Sequence, residues 1–273
     1  MSGRTTILAC PTCGAALTES PTQYACGNGH RFDRARTGYV NLLPTARRRS
    51  SGDSQDMLQA RRRFLSRGHY DAVVDWLSRS TRTAMAGGSG AVLDAGCGEG
   101  HYLRRLAAGL GGMAGYGVDI SKAAVRMASA ADRSGRTAYA VANTYRLPVL
   151  ASSVDVLVKV FSPIGDEEAS RVLRGGGIVA EVIPGPDHLR ELRAVLYRED
   201  RPHDDASSLG RSPRFAVSDE TRIHRQLRAQ DVGQVADLLA MSPYRFAGGP
   251  EPTTLPDTVT IDFTCRLLVP TGP

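Results

Sequence analysis

The sequence predicts an α/β fold in which a doubly wound parallel sheet follows a small metal-binding module. Short apolar segments alternate with helical segments after residue 90, as expected for strand–helix–strand units. A glycine-rich turn, Gly96-Cys97-Gly98-Glu99-Gly100, follows the first of these apolar segments. Three of the five cysteines lie within the first 26 residues, where a small loop-rich module needs a metal ion or a cross-link.

The expected sheet alternates strands with helices, because parallel neighbours need long crossover connections. Short apolar runs bounded by turn residues mark the strands, and apolar positions at helical spacing mark the helices. The predicted strands are 91–96, 115–120, 137–142, 154–160 and 177–183, and the predicted helices are 99–110 and 122–131.

The last third of the chain carries weaker patterns. Residues 199–214 are polar and predict a mobile loop. Residues 231–241 have the spacing of a helix. Apolar and polar residues alternate over Val259–Val269, which predicts a final edge strand.

The chain divides into three parts. Residues 1–40 are the predicted zinc-binding module, and 41–84 are an Arg-rich connector. The connector contains two expected helices, at Asp53–Arg67 and at 70–84. Residues 85–273 form the sheet domain.

The metal-binding module is indicated by two close pairs of ligand residues. Two residues separate Cys10 from Cys13, and three separate Cys26 from His30. Two such pairs at the ends of a hairpin provide three sulfurs and one nitrogen, which is typical of a structural zinc site. A disulfide and buried apolar cysteines are the alternative interpretations, and the four-ligand pattern favours zinc over both.

The glycine-rich turn has the spacing G-x-G-x-G and is preceded by Asp94. A dinucleotide-binding fingerprint would need a third glycine where this chain has His101. The turn instead resembles the first motif of Rossmann-like methyltransferases. That resemblance implies a loop that holds the methionine end of S-adenosylmethionine. The predicted cofactor residues of this motif are Asp94, Gly96, Gly98, Glu99 and Gly100.

Polar residues end the next two predicted strands. Asp119 can accept hydrogen bonds from both hydroxyls of a ribose, although it could instead cap the following helix, as could Ser121. Asn143 ends the third strand, where the adenine of a bound cofactor would lie, and it is also an ordinary turn residue.

The formal net charge of +6 favours a polyanionic partner such as nucleic acid. No apolar run approaches the roughly 20 residues of a membrane helix, so a cytoplasmic protein is expected. The connector concentrates arginines that could contact phosphates, although a solvated helix face is the simpler alternative for some of them. The predicted RNA-binding residues are Arg47, Arg48, Arg49, Arg61, Arg62, Arg63 and Arg67.

The sequence as a whole resembles the RlmA-type 23S rRNA (guanine-N1-)methyltransferase family. The similarity runs from the zinc module into the last third of the chain, and its most specific parts are Gly38–Leu43 and Gly68–Tyr70. The chain departs from the family pattern at Asn143–Tyr145 and at Lys159–Ile164. Other matching stretches are Cys10–Cys13, Cys26–His30, Phe32-Asp33, Gly52–Ser54, Met57, Gln59–Arg62, Phe64-Leu65, Leu93–Gly100, Asp119–Lys122, Arg146–Pro148, Arg171–Gly177 and Pro184–Leu189.

The resemblance implies that the zinc module recognises an RNA hairpin and that the sheet domain methylates N1 of a guanine in 23S rRNA. It also implies cofactor contacts from Tyr70, Gly98, Glu99 and His188; Tyr70 could instead be a core residue, and His188 a polar residue at a helix start. Family members from macrolide producers protect their own ribosomes. The Arg- and Ala-rich composition is compatible with such an actinomycete source, and both a resistance role and a housekeeping role fit it.

Methylation at N1 requires that the N1 proton be removed or that the deprotonated base be stabilised. Candidate catalytic residues are Glu181, Asp187 and His188, with Glu99 as a further possibility. Phe161 could stack on the target base or belong to the core. Two basic clefts could share one folded RNA, so a homodimer is compatible with the sequence.

Two other functions share parts of this pattern. A small-molecule methyltransferase would need the same cofactor loop but neither a zinc module nor a basic connector. A non-catalytic RNA-binding factor for ribosome assembly would not need the intact loop. A NAD-dependent dehydrogenase is disfavoured by the glycine spacing.

Overall fold

Two β-sheets form the framework of the protein. The computed structural model describes residues 4–44, 53–86, 88–196, 208–228, 232–242 and 255–272. An antiparallel sheet of four strands lies at the N-terminus, and a mixed sheet of eight strands contains the rest of the described strands.

The N-terminal sheet is a meander in which each strand pairs with the next one along the chain. Leu17 and Tyr24 are fully buried and alternate with exposed or half-buried neighbours, so one face of this small sheet is apolar. The strands are β1 (Arg4–Ala9), β2 (Ala16–Glu19), β3 (Gln23–Cys26) and β4 (Arg31–Asp33).

The large sheet alternates with helices along most of its length. Its strands are β5 (Val40–Asn41), β6 (Gly90–Ala95), β7 (Met113–Asp119), β8 (Thr137–Val141), β9 (Val154–Val160), β10 (Leu173–Pro184), β11 (Phe215–Arg228) and β12 (Thr258–Pro270). Its helices are α1 (Gln55–Ser66), α2 (Asp71–Ala84), α3 (His101–Gly109), α4 (Lys122–Ala131), α5 (Asp166–Val172), α6 (Arg190–Leu196) and α7 (Val232–Met241).

The strand order in the large sheet is β11-β12-β10-β9-β6-β7-β8-β5. The strands from β10 to β5 are parallel, and β12 and β11 are antiparallel additions at one end. Every residue of β9 is buried, as expected for a central strand with both faces covered. The order reverses between β6 and β9, and open α/β sheets bind ligands at such a reversal.

The predicted parallel sheet is confirmed, with strand bounds close to those expected from the sequence. Ser54 and Ser121 cap α1 and α4 by accepting hydrogen bonds from the backbone of Met57 and Ala124, each at 3.3 Å. Helix α3 begins at His101 rather than at residue 99 because Gly100 adopts a left-handed conformation with φ of +80°.

The prediction that Val259–Val269 is the final edge strand is wrong. Strand β12 lies between β10 and β11, so both of its edges are hydrogen-bonded. The edge position belongs to β11, which the sequence analysis did not predict. Most of the side chains of β11 are exposed, so it lacks the apolar alternation by which a half-buried strand is recognised.

Three smaller differences between the predicted and the observed elements concern short or polar segments. Helices α5 and α6 are each seven residues long, too short to give a clear periodic pattern. Of the predicted loop 199–214, residues 199–207 lie outside the described part of the chain, and Leu209–Arg211 forms a 3₁₀ turn.

The N-terminal module is joined to the large sheet by backbone hydrogen bonds. Ala9 N donates to Pro148 O at 2.8 Å, and Leu150 N donates to Ile7 O at 2.9 Å. Leu8 of β1 lies in the same buried apolar cluster as Val149. The module is therefore packed against the sheet domain beside the segment that follows β8. Among the described residues, no helix has both the length and the apolar character needed to span a membrane.

Candidate functional site

The four predicted metal ligands meet at one point of the N-terminal module. One ligand atom from each of Cys10, Cys13, Cys26 and His30 lies within 4.8 Å of the others. Cys13 Sγ is 3.8 Å from Cys26 Sγ, and His30 Nδ1 is 3.4 Å from Cys26 Sγ. One pair comes from the end of β1 and the other from the end of β3. Three sulfurs and one imidazole in this arrangement fit a tetrahedral zinc ion.

The surroundings of the sulfurs favour the thiolate form that binds metal. Hydrogen bonds from the backbone of Ala15 and from the Asn28 amide lower the pKa of Cys13 to about 6. Burial opposes ionisation of Cys26, but hydrogen bonds from His30 outweigh it and lower the Cys26 pKa. Burial raises the pKa of Cys10. Two of the three thiols therefore lose their protons more readily than a free cysteine does.

A cavity of about 1020 Å³ opens at the carboxyl edge of the parallel strands. Residues that follow β6, β7, β8, β9 and β10 form its floor, as expected at the point where the strand order reverses. Helices α1 and α7 form the opposite wall through Met57, Leu65, Leu238 and Met241. The cavity is large enough for a nucleoside-sized ligand and a second, smaller group.

The glycine-rich loop borders this cavity with only part of its length. Gly96, Gly98 and Glu99 line it, whereas Asp94 and Gly100 are not among the lining residues. Gly98 has a φ of +54°, a conformation that glycine adopts without strain. Gly98 therefore leaves its backbone close to the cavity.

Two buried carboxylate oxygens near the loop have no hydrogen-bond partner among the described residues. One is Oδ2 of Asp94, whose pKa is raised to about 8 by burial and by the neighbouring charge of Asp119. The other is Oε1 of Glu99, while Oε2 accepts from Arg62 and Arg104 at 3.3 and 3.0 Å. Because buried acceptors are almost always satisfied, the free oxygen of Glu99 in the cavity wall fits a ligand that carries hydrogen-bond donors.

The two polar residues predicted at strand ends also border the cavity. Asp119 accepts backbone hydrogen bonds from Gly98 at 2.9 Å and from Ser121 at 2.8 Å. The cap of α4 is Ser121, so the carboxylate of Asp119 is not needed for that role. Asn143 Oδ1 accepts from Tyr145 N at 2.9 Å, so Asn143 stabilises a turn and lines the cavity at once.

An aromatic cluster lies at the end of the cavity away from Asp119. The rings of Tyr70 and His188 line the cavity and lie 4.8 and 4.7 Å from the ring of Phe263. Phe161 also contacts Phe263 at 5.0 Å but is 41% exposed, with a left-handed φ of +53°. A positive φ is rare for a bulky residue and costs about 1 kcal/mol or more, and such strain is found most often at functional sites.

Of the arginines predicted to contact RNA, those that the structure describes form ion pairs with the sheet domain or with the start of the connector. Arg61 pairs with Asp53, and Arg62 with Glu99 at 3.3 Å. Arg63 and Arg67 both pair with Asp237 of α7, at 2.6 and 3.5 Å. These pairs hold α1 over the cavity. The remaining predicted RNA contacts, Arg47, Arg48 and Arg49, lie outside the described residues.

The three catalytic candidates occupy very different positions. Glu181 is fully buried, and its carboxylate contacts Lys159 at 3.0 Å, Ser208 Oγ at 2.6 Å and Leu209 N at 2.8 Å. Asp187 is paired with Arg222 at 2.7 Å and does not line the cavity. His188 borders the cavity.

Several lining residues were not among the predicted site residues, although Thr144, Tyr145 and Lys159 lie in the stretches where the chain departs from the family pattern. Thr144 and Tyr145 follow Asn143 at a strand end, a signal that could have been used. Lys159 is hidden within an apolar strand, and the α7 residues carry no functional pattern. The overlooked lining residues include Asp53, Thr144, Tyr145, Lys159, Leu238 and Met241.

Comparisons with known proteins identify both parts of the chain. A family model described as "RlmA, N-terminal", a zinc ribbon, matches residues 8–51, and one described as "Methyltransferase domain" matches residues 92–177. The 23S rRNA (guanine(748)-N(1))-methyltransferase of Streptomyces fradiae is 36% identical over 252 residues, which cover 89% of this chain and 87% of that protein. A Micromonospora griseorubida protein whose name proposes a 23S rRNA (guanine-N(1)-)-methyltransferase is also 36% identical, over 95% of each chain.

The chain belongs to the RlmA-type 23S rRNA (guanine-N1-)methyltransferase family. The fold agrees with this assignment. The crystal structure of the YcgJ protein from Bacillus subtilis superposes with a TM-score of 0.51 at 16% identity, covering 72% of this chain and 97% of that one. That likeness shows the fold alone.

Membership of this family identifies the two bound groups. The methyltransferase domain implies S-adenosylmethionine, and the zinc ribbon with its Cys₃His cluster implies a structural zinc ion. The orphaned oxygen of Glu99 and the carboxylate of Asp119 fit a cofactor whose amino and hydroxyl groups donate hydrogen bonds. This enzyme is therefore an S-adenosylmethionine-dependent methyltransferase with a zinc ribbon.

Proposed function

We propose that this enzyme methylates N1 of a guanine in a hairpin loop of 23S rRNA. The observation that carries the proposal is the segment from Asn143 to Leu150. Asn143 lines the cofactor cavity, and the backbone of Pro148 and Leu150 is hydrogen-bonded to the zinc module. A module that binds RNA at this place lies beside the cavity in which methyl transfer would occur.

The cofactor assignment follows the shape and polarity of the cavity. Asp119 would accept the ribose hydroxyls, and Asn143 would lie by the adenine. Gly96, Gly98 and Glu99 would hold the methionine end, with Tyr70 and His188 at its far wall. Asp94 and Gly100 do not line the cavity, so they would support the glycine-rich loop without contacting the cofactor themselves.

When bound, S-adenosylmethionine supplies an electrophilic methyl group on its sulfonium. The chain's own part in the reaction is to place the guanine in line with that methyl group, and such positioning can supply much of a rate enhancement. N1 lies on the Watson–Crick edge, so the base must leave its stack before it enters the cavity. The exposed ring of Phe161 at the cavity end offers a surface on which the displaced base could stack.

The N1 proton is the chemical obstacle, and the three candidates for handling it are not equivalent. The carboxylate of Glu181 is committed to Lys159, Ser208 and Leu209. Asp187 lies outside the cavity lining and is paired with Arg222. Among these three, His188 alone borders the cavity, so it alone can contact the bound groups.

The RNA contacts are assigned to the zinc module and to the connector. Arg47, Arg48 and Arg49 carry three adjacent positive charges, and the nearest acid in sequence is Asp53, four residues after Arg49. Arg62 and Arg63 remain 42% and 55% exposed within their ion pairs and can face RNA as well. Replacing Arg47–Arg49 by Ala should weaken RNA binding and flatten its salt dependence by about three units of log–log slope.

A matched control for that experiment replaces three exposed arginines that lie outside the connector, Arg126, Arg133 and Arg228. This variant has the same net charge as the first. Equal affinities and equal salt slopes for the two variants would contradict a specific role of the connector.

The function is tested by methyl transfer from radiolabelled S-adenosylmethionine to large-subunit rRNA, free and in ribosomal particles. Mass spectrometry identifies the nucleoside, and primer extension locates it. We expect 1-methylguanosine, with transfer at low S-adenosylmethionine concentration strongly reduced in Asp119→Ala. Cofactor binding without transfer to any rRNA would support a small-molecule methyltransferase, and absence of cofactor binding would support a non-catalytic ribosome-assembly factor.

Four finer proposals accompany this function. Expression in a macrolide-sensitive strain tests the resistance role through the inhibitory macrolide concentration. Sedimentation with and without RNA tests the homodimer. The division into residues 1–40, 41–84 and 85–273 is tested by limited proteolysis. Action on ribosomes is the reason that we propose a cytoplasmic location.

A further inference from the structure

The exposed strand β11 reaches the cofactor cavity through one ion-pair cluster. Arg222 of β11 donates from Nε to Asp262 Oδ1 at 2.7 Å and from Nη2 to Asp262 Oδ2 at 2.9 Å. The same Nη2 donates to Asp187 Oδ2 at 2.7 Å. One guanidinium thus bridges the fully buried Asp262 of β12 and Asp187 in the turn after β10. A two-pronged arginine–carboxylate contact has a fixed geometry as well as a charge.

Asp262 in turn holds the turn that leads into α6. Its carboxylate accepts from Asp187 N at 3.0 Å, and its backbone oxygen accepts from Gly185 N at 2.8 Å. Burial alone would raise the pKa of Asp262, but the hydrogen bonds from Arg222 and from the Asp187 backbone lower it. The carboxylate therefore stays ionised in a buried position, where it needs these donors.

The same residue fixes the ring of His188. The backbone nitrogen of Asp262 donates to His188 Nδ1 at 3.3 Å. A backbone N–H can only donate, so Nδ1 must be the unprotonated ring nitrogen. The neutral imidazole then carries its proton on Nε2. A ring that lines the cavity is thereby presented as a hydrogen-bond donor and not as a base at Nδ1.

A bound cation is the alternative explanation for this cluster. Asp187, His224 and Asp262 each place one ligand atom within 4.8 Å of the others. The guanidinium of Arg222 already lies between the two carboxylates and donates to both. It provides the positive charge that a divalent ion would otherwise supply, so the contacts favour an arginine clamp.

We propose that Arg222 and Asp262 are positioning residues that hold His188 as its Nε2–H tautomer at the wall of the cofactor cavity. The proposal rests on the proposed cofactor role of His188. The proposal gives the polar edge strand β11 a function in the reaction. Arg222 does not bond to His188 directly; it acts on that ring through Asp262.

The test compares Arg222→Met with Arg225→Met, an exposed arginine on the same strand. Histidine labelled with ¹⁵N reports the tautomer by NMR, and His188→Gln identifies the His188 signals. Wild type and Arg225→Met should show the Nε2–H pattern. Arg222→Met should show a mixture of the two His188 tautomers. Its KM for S-adenosylmethionine should be raised about fivefold to tenfold, and its kcat should change less than its KM. Arg222→Lys should restore the wild-type tautomer and the wild-type KM only in part, since lysine cannot make the two-pronged contact.

The outcomes separate the clamp from the cofactor role. If His188→Gln weakens cofactor binding while Arg222→Met keeps the wild-type tautomer and KM, the clamp is overturned and the role of His188 stands. If His188→Gln leaves cofactor binding unchanged, the proposed role of His188 fails, and the clamp as a device for cofactor binding fails with it. Because Arg222 is 51% exposed, its replacement should leave the chain folded, which a thermal melt checks.

Discussion

The zinc module and the cofactor cavity are stabilised in opposite ways. All four metal ligands come from the two turns between Cys10 and His30, around a sheet with few buried side chains. The cavity is lined by residues from Asp53 to Ser242, and each of its walls belongs to a larger packed core. The local structure of the two ligand turns therefore depends on one ion, whereas the cavity depends on many contacts of similar size. Perturbations of the two regions should have separable effects.

Removal of the metal is the most severe test of this separation. Structural zinc contributes on the order of 10 kcal/mol to small modules of this type. The double variant Cys26→Ala/His30→Ala should lose its zinc and reduce rRNA methylation by about 100-fold or more, while the Kd for S-adenosylmethionine changes less than about threefold. Metal analysis and calorimetric titration measure the two effects.

The control for zinc loss is Thr12→Ala, an exposed residue in the same turn that is not a ligand. It should retain a full equivalent of zinc. An equal loss of cofactor binding in the double variant would mean that module and cavity form one cooperative unit, joined through the contacts of Ala9 and Leu150.

The converse perturbation is Asp119→Ala in the cavity. The variant removes the carboxylate that accepts from Gly98 N and Ser121 N, together with the proposed ribose contacts. Hydrogen bonds to a charged group contribute about 1.5–3 kcal/mol each, so the Kd for S-adenosylmethionine should rise about 10- to 100-fold. Zinc content should not change. Asp75→Asn, at an exposed position of α2, is the control, and similar titrations for both would refute this role.

A pH series distinguishes the buried core from the module by stability. The pKa of Asp94 is about 8 in the folded chain and about 4 when unfolded. The folded state therefore keeps a proton that the unfolded state has lost. The contribution of protonated Asp94 to the stability of the folded state is complete below about pH 4 and is lost as the pH rises through about 8. Asp94→Asn cannot ionise, so its Tm relative to wild type should increase by several degrees between about pH 5 and pH 9.

The matching control for the pH series is again Asp75→Asn, whose Tm difference from wild type should be independent of pH. A constant Tm difference for Asp94→Asn across the series would show that Asp94 ionises normally. The series is performed with zinc saturated, so that the thiols of the module contribute equally to all three proteins.

The smallest expected effect concerns the strained residue at the cavity end. Phe161→Ala and Phe161→Gly both remove the ring, but only glycine tolerates the φ of +53° without cost. The glycine variant should therefore be more stable than the alanine variant by about 1 kcal/mol. Both should reduce rRNA methylation about tenfold if the ring stacks on the displaced base. A more stable alanine variant would contradict the strain argument.

The parallel half of the large sheet was predictable because its strands are continuously apolar and are separated by clear helices. β9 is the extreme case, since every one of its residues is buried. The antiparallel end was not predictable in the same way. Its edge strand β11 exposes most of its side chains, so tertiary pairing with β12 determines its structure and leaves no apolar pattern.

The same distinction applies to the site residues. The zinc ligands and Asp119 lie in short motifs, because a turn or a strand end brings the needed atoms together locally. The clamp on His188 joins Arg222, Asp262 and the turn after β10, which are far apart in sequence. Such an arrangement depends on strand order, and no local spacing can indicate it.

The segment from Asn143 to Leu150 touches the cofactor cavity at one end and the zinc module at the other. This continuous backbone segment could therefore couple the binding of cofactor at one site to the binding of RNA at the other. By thermodynamic reciprocity, any factor by which bound cofactor changes affinity for RNA is the factor by which RNA changes affinity for cofactor. Affinities for cofactor and for RNA, each measured with and without the other ligand, should therefore change by one common factor.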